Sequence, residues 1–193
     1  MANMFEGCTK LEEISFSPYI NTKNLKRVYS MFSGCFSLKS IDLSSFDIEN
    51  VYDMGNMFYN CISLTSINLS NFNTKNVKYM NSMFRDCTSL ESIDLSSFNT
   101  ENVKDMADMF LYCKSLASIN LSNFNTKNIE SMKSMFFNCS KITSIDISNF
   151  ITNKEEVNLF NSLPQKGTIK ININSENKFK TIQDGWKIDY YYN

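Results

Sequence analysis

Apolar residues return along this chain on a ruler of 26 positions, and inside each interval they follow two different periods. The interval from Asn76 to Thr100 shows this most plainly. Val77, Met80, Met83, Phe84 and Cys87 fall at i, i+3, i+6, i+7 and i+10, the stripe of one face of a helix. Asn76 stands just before the first apolar residue, where an N-cap side chain accepts an orphan N–H of the first turn. The same Asn recurs as Asn24, Asn50, Asn102 and Asn128. Beyond Cys87 the period changes. Ile93 and Leu95 alternate with Ser92, Asp94 and Ser96, which is the period of a strand, with Leu90 leading in and Phe98 closing. Each interval therefore predicts one short helix followed by one short strand.

The ruler is marked by all six cysteines, Cys8, Cys35, Cys61, Cys87, Cys113 and Cys139, and a Met-Phe pair precedes each one by three residues. Self-similarity at this period is the signature of a solenoid, in which one unit cannot bury its apolar face alone and neighbours complete the core. The strand half, Leu-x-x-Ile-x-Leu-x-x-Phe, resembles a leucine-rich repeat with Phe where that ladder carries Asn. The expected fold is α/β: a leucine-rich-repeat-type right-handed solenoid with a parallel sheet on one face, short helices on the other and a C-terminal cap. Residues 1–152 form about six repeats, the first truncated at its start, and residues 153–193 form a degenerate repeat and the cap. In that last unit Glu155 to Leu163 is a helix candidate, Ile169 and Ile171 take the strand positions, and Trp186 to Tyr190 forms a final strand. Met1 to Phe5 aligns with Met54 to Phe58, so the chain opens in mid-repeat and reads as part of a longer protein with an uncapped N-terminal end.

Composition removes several functions. With 19 basic and 20 acidic residues the net charge is -1, against a nucleic-acid binder, which needs a basic face to displace counterions. No basic run offers anionic lipid a landing site, and no apolar run is long enough to span a bilayer. Histidine is absent, which takes away the usual general base, metal ligand and partner of a nucleophilic Ser or Cys. The five glycines form no phosphate-cradling loop. The cysteines have three readings: metal ligands, disulfides or core thiols. Without a Cys-x-x-Cys pair a zinc site would need thiols from four successive repeats, and a ladder has no reason to pair, so buried free thiols are expected. The eleven methionines fill two helical columns and are expected to be core. No cofactor and no metal is implied.

Two surfaces are candidates for binding. The strand face carries polar ladders, chief among them Asp42, Asn68, Asp94, Asn120 and Asp146 between columns of serine. It hardly varies from repeat to repeat, which fits a structural role or a repetitive ligand better than one irregular epitope. Alternating Asp and Asn also relieves like-charge repulsion between adjacent strands. The helical side varies most beside the cysteines, where Tyr59 is a candidate and where Leu111, Tyr112 and Phe137 either expose an apolar patch in consecutive repeats or pack on one another across them. A threonine column, Thr22, Thr74, Thr100, Thr126 and Thr152, raises the idea of binding a polymer or ice; Ile48 interrupts it, and support of the turn into the helix is the plainer role.

Taken together, Met-x-x-Met-Phe-x-x-Cys-x-Ser-Leu, Ile-Asp-Leu-Ser-x-Phe and Asn-Thr-x-Asn-Val resemble the BspA-like leucine-rich repeats of bacterial surface proteins, mycoplasma lipoproteins and some protozoan surface proteins. The resemblance covers residues 1–152 closely. It implies surface display or secretion and adhesion-type binding of a protein or glycan on host or neighbouring cells. It implies no enzyme activity and supplies no fixed functional residues. The leading expectation is a non-enzymatic, adhesin-like binding module. The alternatives are a structural spacer or surface scaffold without its own ligand, and an intracellular interaction scaffold, which six reduced thiols would suit. The expected state is a monomer, or weak self-association through the uncapped N-terminal end.

Overall fold

The computed structural model describes residues 1–151, 158–172, 182 and 184–191. The chain winds as a solenoid whose coils are 26 residues apart in register as far as Ser144–Ile147 and closer together beyond it. Short strands lie on one side: β1 (Ser40–Asp42), β2 (Ser66–Asn68), β3 (Ser118–Asn120), β4 (Ser144–Ile147), β5 (Gly167–Asn172) and β6 (Trp186–Tyr191). All pairs are parallel, with Ser40 opposite Ser66, Ile119 opposite Ile145, Ile145 opposite Ile169 and Ile169 opposite Ile188. Ile169 and Ile171 take the strand positions expected of them and are buried. The sheet is interrupted once. β1 and β2 pair with each other and β3 to β6 form a second sheet, while residues 92–94 between them carry the same sequence pattern without pairing as a strand.

The other side corrects the expectation of an α/β fold with short helices: no helix occurs among the described residues. The segments of helical period are ladders of tandem turns. In the coil of Cys61, the N–H groups of Met54, Asn56, Phe58 and Asn60 donate to the next coil, to the carbonyls of Tyr79, Asn81, Met83 and Arg85, at 2.7–2.9 Å. The intervening N–H groups of Met57, Tyr59 and Cys61 donate three residues back, to Met54, Asn56 and Phe58. An α-helix needs every donor to reach four residues back within its own segment. Here every second donor is spent between coils instead.

The backbone conformation shows how this is done. Asn56 and Asn60 both lie in the left-handed region, at φ 54° and 60°. The same two positions are left-handed in coil after coil, as Ser82 and Asp86, Asp108 and Tyr112, Ser134 and Asn138. Each occupies the third position of a four-residue turn, the place where a type II turn requires positive φ. The pattern continues through Asn158 and Ser162, so the described part of the Glu155 to Leu163 helix candidate is turn as well; its earlier residues, like Thr152, lie outside the described residues. On the same side Arg27, Asp53, Tyr79, Asp105 and Ser131 form a continuous row of parallel bridges.

The apolar stripe faces inward as expected, although it is not helical. Val77, Met80, Met83, Phe84 and Cys87 are all fully buried. Phe5, Phe32, Phe58, Phe84, Phe110, Phe136 and Phe160 stack in one column at 5.3–5.9 Å between ring centroids. Phe72, Phe98 and Phe124 form a second column at 6.4 Å. Nine of the eleven methionines are buried in the core, Met1 and Met4 in the first coil being exposed.

Polar side chains inside the coil are matched to backbone groups of a neighbouring coil. The thiols of Cys61, Cys87, Cys113 and Cys139 donate at 3.1 Å to the carbonyls of Phe32, Phe58, Phe84 and Phe110. The Asn column does not cap helices. Asn50, Asn76, Asn102 and Asn128 donate through Nδ2 to the carbonyls of Lys23, Glu49, Lys75 and Glu101 at 2.8–3.0 Å. The threonines Thr22, Thr74, Thr100 and Thr126 are buried, which removes them as an exposed polymer-binding row, and each bridges to the backbone of the following coil.

Candidate functional site

The strand-face candidates are exposed apart from Asp146, which is half-buried. Each uses one oxygen at home: Oδ1 of Asp42, Asn68, Asp94, Asn120 and Asp146 accepts the N–H of the serine two residues on, at 2.8–3.1 Å. These Asx turns bend the chain out of the strand, the local structure that Asp and Asn favour over continued pairing. Bonds from the Ser44 and Ser96 backbone and hydroxyls hold the Asp42 and Asp94 carboxyls below the usual carboxylate range. Where the sheet is interrupted, Ile93, Asp94, Leu95 and Ser96 face Asn120, Ser122 and Asn123 across a shallow cleft of about 160 Å³. A larger opening of about 550 Å³ lies at the first coil, where Glu13 and Ser15 face Ser40 and Asp42, so the face is a row of turn-forming carboxylates and amides with shallow openings along it.

The variable residues beside the cysteines are brought together, chiefly with one another. Leu111 is buried. Tyr112 and Phe137 meet edge to face at 5.9 Å and 85°. Arg85 lies over the Tyr59 ring at 5.6 Å and reaches Asp108 at 3.1 Å. Tyr112 and Phe137 thus pack on each other across repeats, and Tyr59 packs under Arg85.

The cysteines are all unbridged; five are buried, and Cys8 in the first coil is exposed. Burial pushes the thiols up, Cys35 to about 11 and Cys87 and Cys139 to about 12, so they are neither nucleophiles nor ready metal ligands at neutral pH.

A third surface was not singled out by sequence reasoning. Along the bridge ladder the Tyr52 N–H bonds the Lys26 carbonyl at 3.0 Å, the Lys78 N–H bonds the Tyr52 carbonyl at 2.8 Å, and the Lys104 N–H bonds the Lys78 carbonyl at 2.8 Å. This stacks Lys26, Tyr52, Lys78 and Lys104 in one outward column. Tyr79 stands beside it in the bridge row, and Tyr52 and Tyr79 are 39% and 40% exposed. At one end Arg27 pairs with the buried Asp53 at 2.9 Å and covers the Tyr29 ring at 5.5 Å. Asn56 Nδ2 donates to the Tyr29 hydroxyl at 3.0 Å. Gly55 leaves room for that ring, since a β-carbon there would lie 3.3 Å from it. The signal available in the sequence was variation, because these columns mix cationic, aromatic and acidic residues while the strand face only alternates Asp with Asn.

The structure defines a tandem-repeat solenoid of stacked turns and short parallel strands. Three overlapping stretches, residues 1–92, 28–150 and 64–176, match the family described as "Mycoplasma protein of unknown function, DUF285", and the chain belongs to that family. The BspA-like repeat resemblance read from its columns stands with this membership. A crystal structure of a leucine-rich repeat protein from Bacteroides ovatus is similar over 98% of this chain, at 16% identity and a TM-score of 0.31, a likeness too distant to bear on the architecture. This chain spans 62% of that protein. No curated protein matches it. Among the described residues no helix is long and apolar enough to cross a membrane.

Proposed function

We propose that the chain is a non-enzymatic, adhesin-like binding module displayed at a cell surface. The observation that supports this is a division of labour between columns. Buried Phe, Met, Cys and Thr columns repeat and satisfy one another, while the bridge-side columns of Lys26, Arg27 and Tyr29, largely outward-facing, mix cations, aromatics and acids along the stack. A rigid frame that varies only where it meets solvent is what a recognition surface requires. Family membership agrees with an interaction repeat and assigns no chemistry. The uniform strand face, whose carboxylates and amides each close a local turn, favours a spacer role for that face alone.

Two measurements test the proposal. Antibody raised against the chain should label intact source cells, and beads coated with the chain should adhere to epithelial monolayers above albumin-coated beads. Labelling only after permeabilisation, with adhesion at the albumin level, would contradict it and leave the spacer or intracellular scaffold.

A further inference from the structure

The geometry points to the Lys26–Tyr52–Lys78–Lys104 column, with Tyr79 beside it, as the seat of an acidic glycan chain lying along the solenoid axis. This rests on the adhesin-like reading and names the class of ligand. Charge is the first argument. The chain carries a net charge of -1, yet the five bridge-side columns that include Lys75, Asn76, Lys78, Tyr79 and Asn81 hold eight Lys and Arg against five Asp and Glu. Arg27 pairs with the buried Asp53 and Lys104 with Glu130, both at 2.9 Å, which leaves six cations against three carboxylates. A basic strip on a near-neutral protein attracts an anionic partner locally.

Spacing is the second argument. Successive members of the column are joined by backbone bonds of a parallel ladder, so they repeat at about 5 Å. Cation, aromatic, cation and cation then follow one another in a line, the last cation being paired with Glu130 in the next coil. A linear polymer with a ring and an acidic group in each unit meets the column at every step. Each tyrosine offers an amphipathic ring for the apolar face of a sugar, and each lysine a mobile ammonium for a carboxylate or sulfate. The Asn column alongside has its amide nitrogens committed to the backbone, with the Oδ1 of Asn50 taken up at 3.5 Å by Lys26. A single folded acidic protein is the less suited occupant, because lysine is depleted at the centre of protein interfaces and this strip is centred on it.

The test immobilises the full chain and measures binding of hyaluronan and heparin oligosaccharides, with neutral dextran, polyglutamate and a single-stranded oligonucleotide as comparisons. Binding of at least one acidic glycan is expected. It should weaken tenfold or more in Tyr52→Ala/Tyr79→Ala, and likewise in Lys26→Glu/Lys78→Glu, while Ser92→Ala on the strand face leaves it unchanged. An unchanged urea midpoint and far-ultraviolet circular dichroism spectrum in each variant verify the fold. No glycan binding, equal binding of polyglutamate or oligonucleotide, or insensitivity to both double variants would overturn the inference. Bead adhesion by a chain that binds no acidic glycan would leave the adhesin-like reading standing and remove only this ligand.

Discussion

The hydroxyl of Thr100 donates to the carbonyl of Asn125 at 3.0 Å and accepts the N–H of the same Asn125 at 2.7 Å. One side chain thus stands in for a pair of strand hydrogen bonds between adjacent coils. Thr74 does the same to Asn99, and Thr126 to Ile151. Ile48 occupies the same column, equally buried, and has no hydroxyl with which to do it.

Thr100→Val keeps the shape and removes both bonds. It is expected to destabilise the chain by about 1–3 kcal/mol, the cost of leaving buried polar groups unsatisfied. Ile48→Val removes only a methyl group and should cost about 0.5–1.5 kcal/mol. Urea midpoints of the two variants compare the costs, and equal or reversed shifts would refute the bridging role.

The left-handed positions separate glycine from alanine. Asn138 sits at φ 59°, so Asn138→Gly should be tolerated, while Asn138→Ala should cost about 1–2 kcal/mol. In a helix the order would be reversed, since alanine is the best helix former and glycine among the poorest. Thermal melting of the two variants decides between these orders.

Along the phenylalanine column the cost of truncation should depend on position. Phe84 is fully buried and stacks on Phe58 and Phe110, both at 5.7 Å. Phe84→Ala should lose about 3–5 kcal/mol. Phe5 is only partly buried and stacks on Phe32 alone within its column, so Phe5→Ala should lose distinctly less. Equal losses would argue against energetics built from neighbouring coils.

The raised thiols predict a loss of stability in alkali. Burial holds the protonated form of Cys87 and Cys139 in the folded state up to about 12, against an ordinary thiol value of 9.0. Between these values the unfolded chain gives up protons that the folded chain retains. Stability is therefore complete below pH 9 and falls as pH rises from there toward 12. Urea midpoints measured below and within that window should decrease. At neutral pH a thiol reagent should modify Cys8 quickly and the other five only on unfolding.

Much of the architecture was legible because a repeat writes each packing position several times over. The Met-Phe, Cys and Ile-Leu columns were placed inside the coil, and beyond the first coil that is where they lie, with Ile67 and Ile93 partly buried. The helices were misread for a physical reason. Val77, Met80, Met83, Phe84 and Cys87 follow a helical spacing, but successive turns can bring the same positions inward. The discriminating signal lay between them, at Asn56 and Asn60, Ser82 and Asp86, Ser134 and Asn138. These short polar residues favour turns and compete poorly as helix formers. The binding surface was less legible. Tyr59, Leu111, Tyr112 and Phe137 were noticed for their variety, which the structure spends largely on contacts among themselves and with Arg85. Tyr52, Tyr79 and their lysines passed unremarked, because their columns repeat no one residue type and only the ladder shows that they face outward.

The helix-free turn ladder is the claim on which the rest depends, and far-ultraviolet circular dichroism of the full chain tests it most directly. A spectrum without the paired minima of an α-helix, keeping its shape until one cooperative unfolding transition, is the predicted result. Paired helical minima in the folded protein would contradict it.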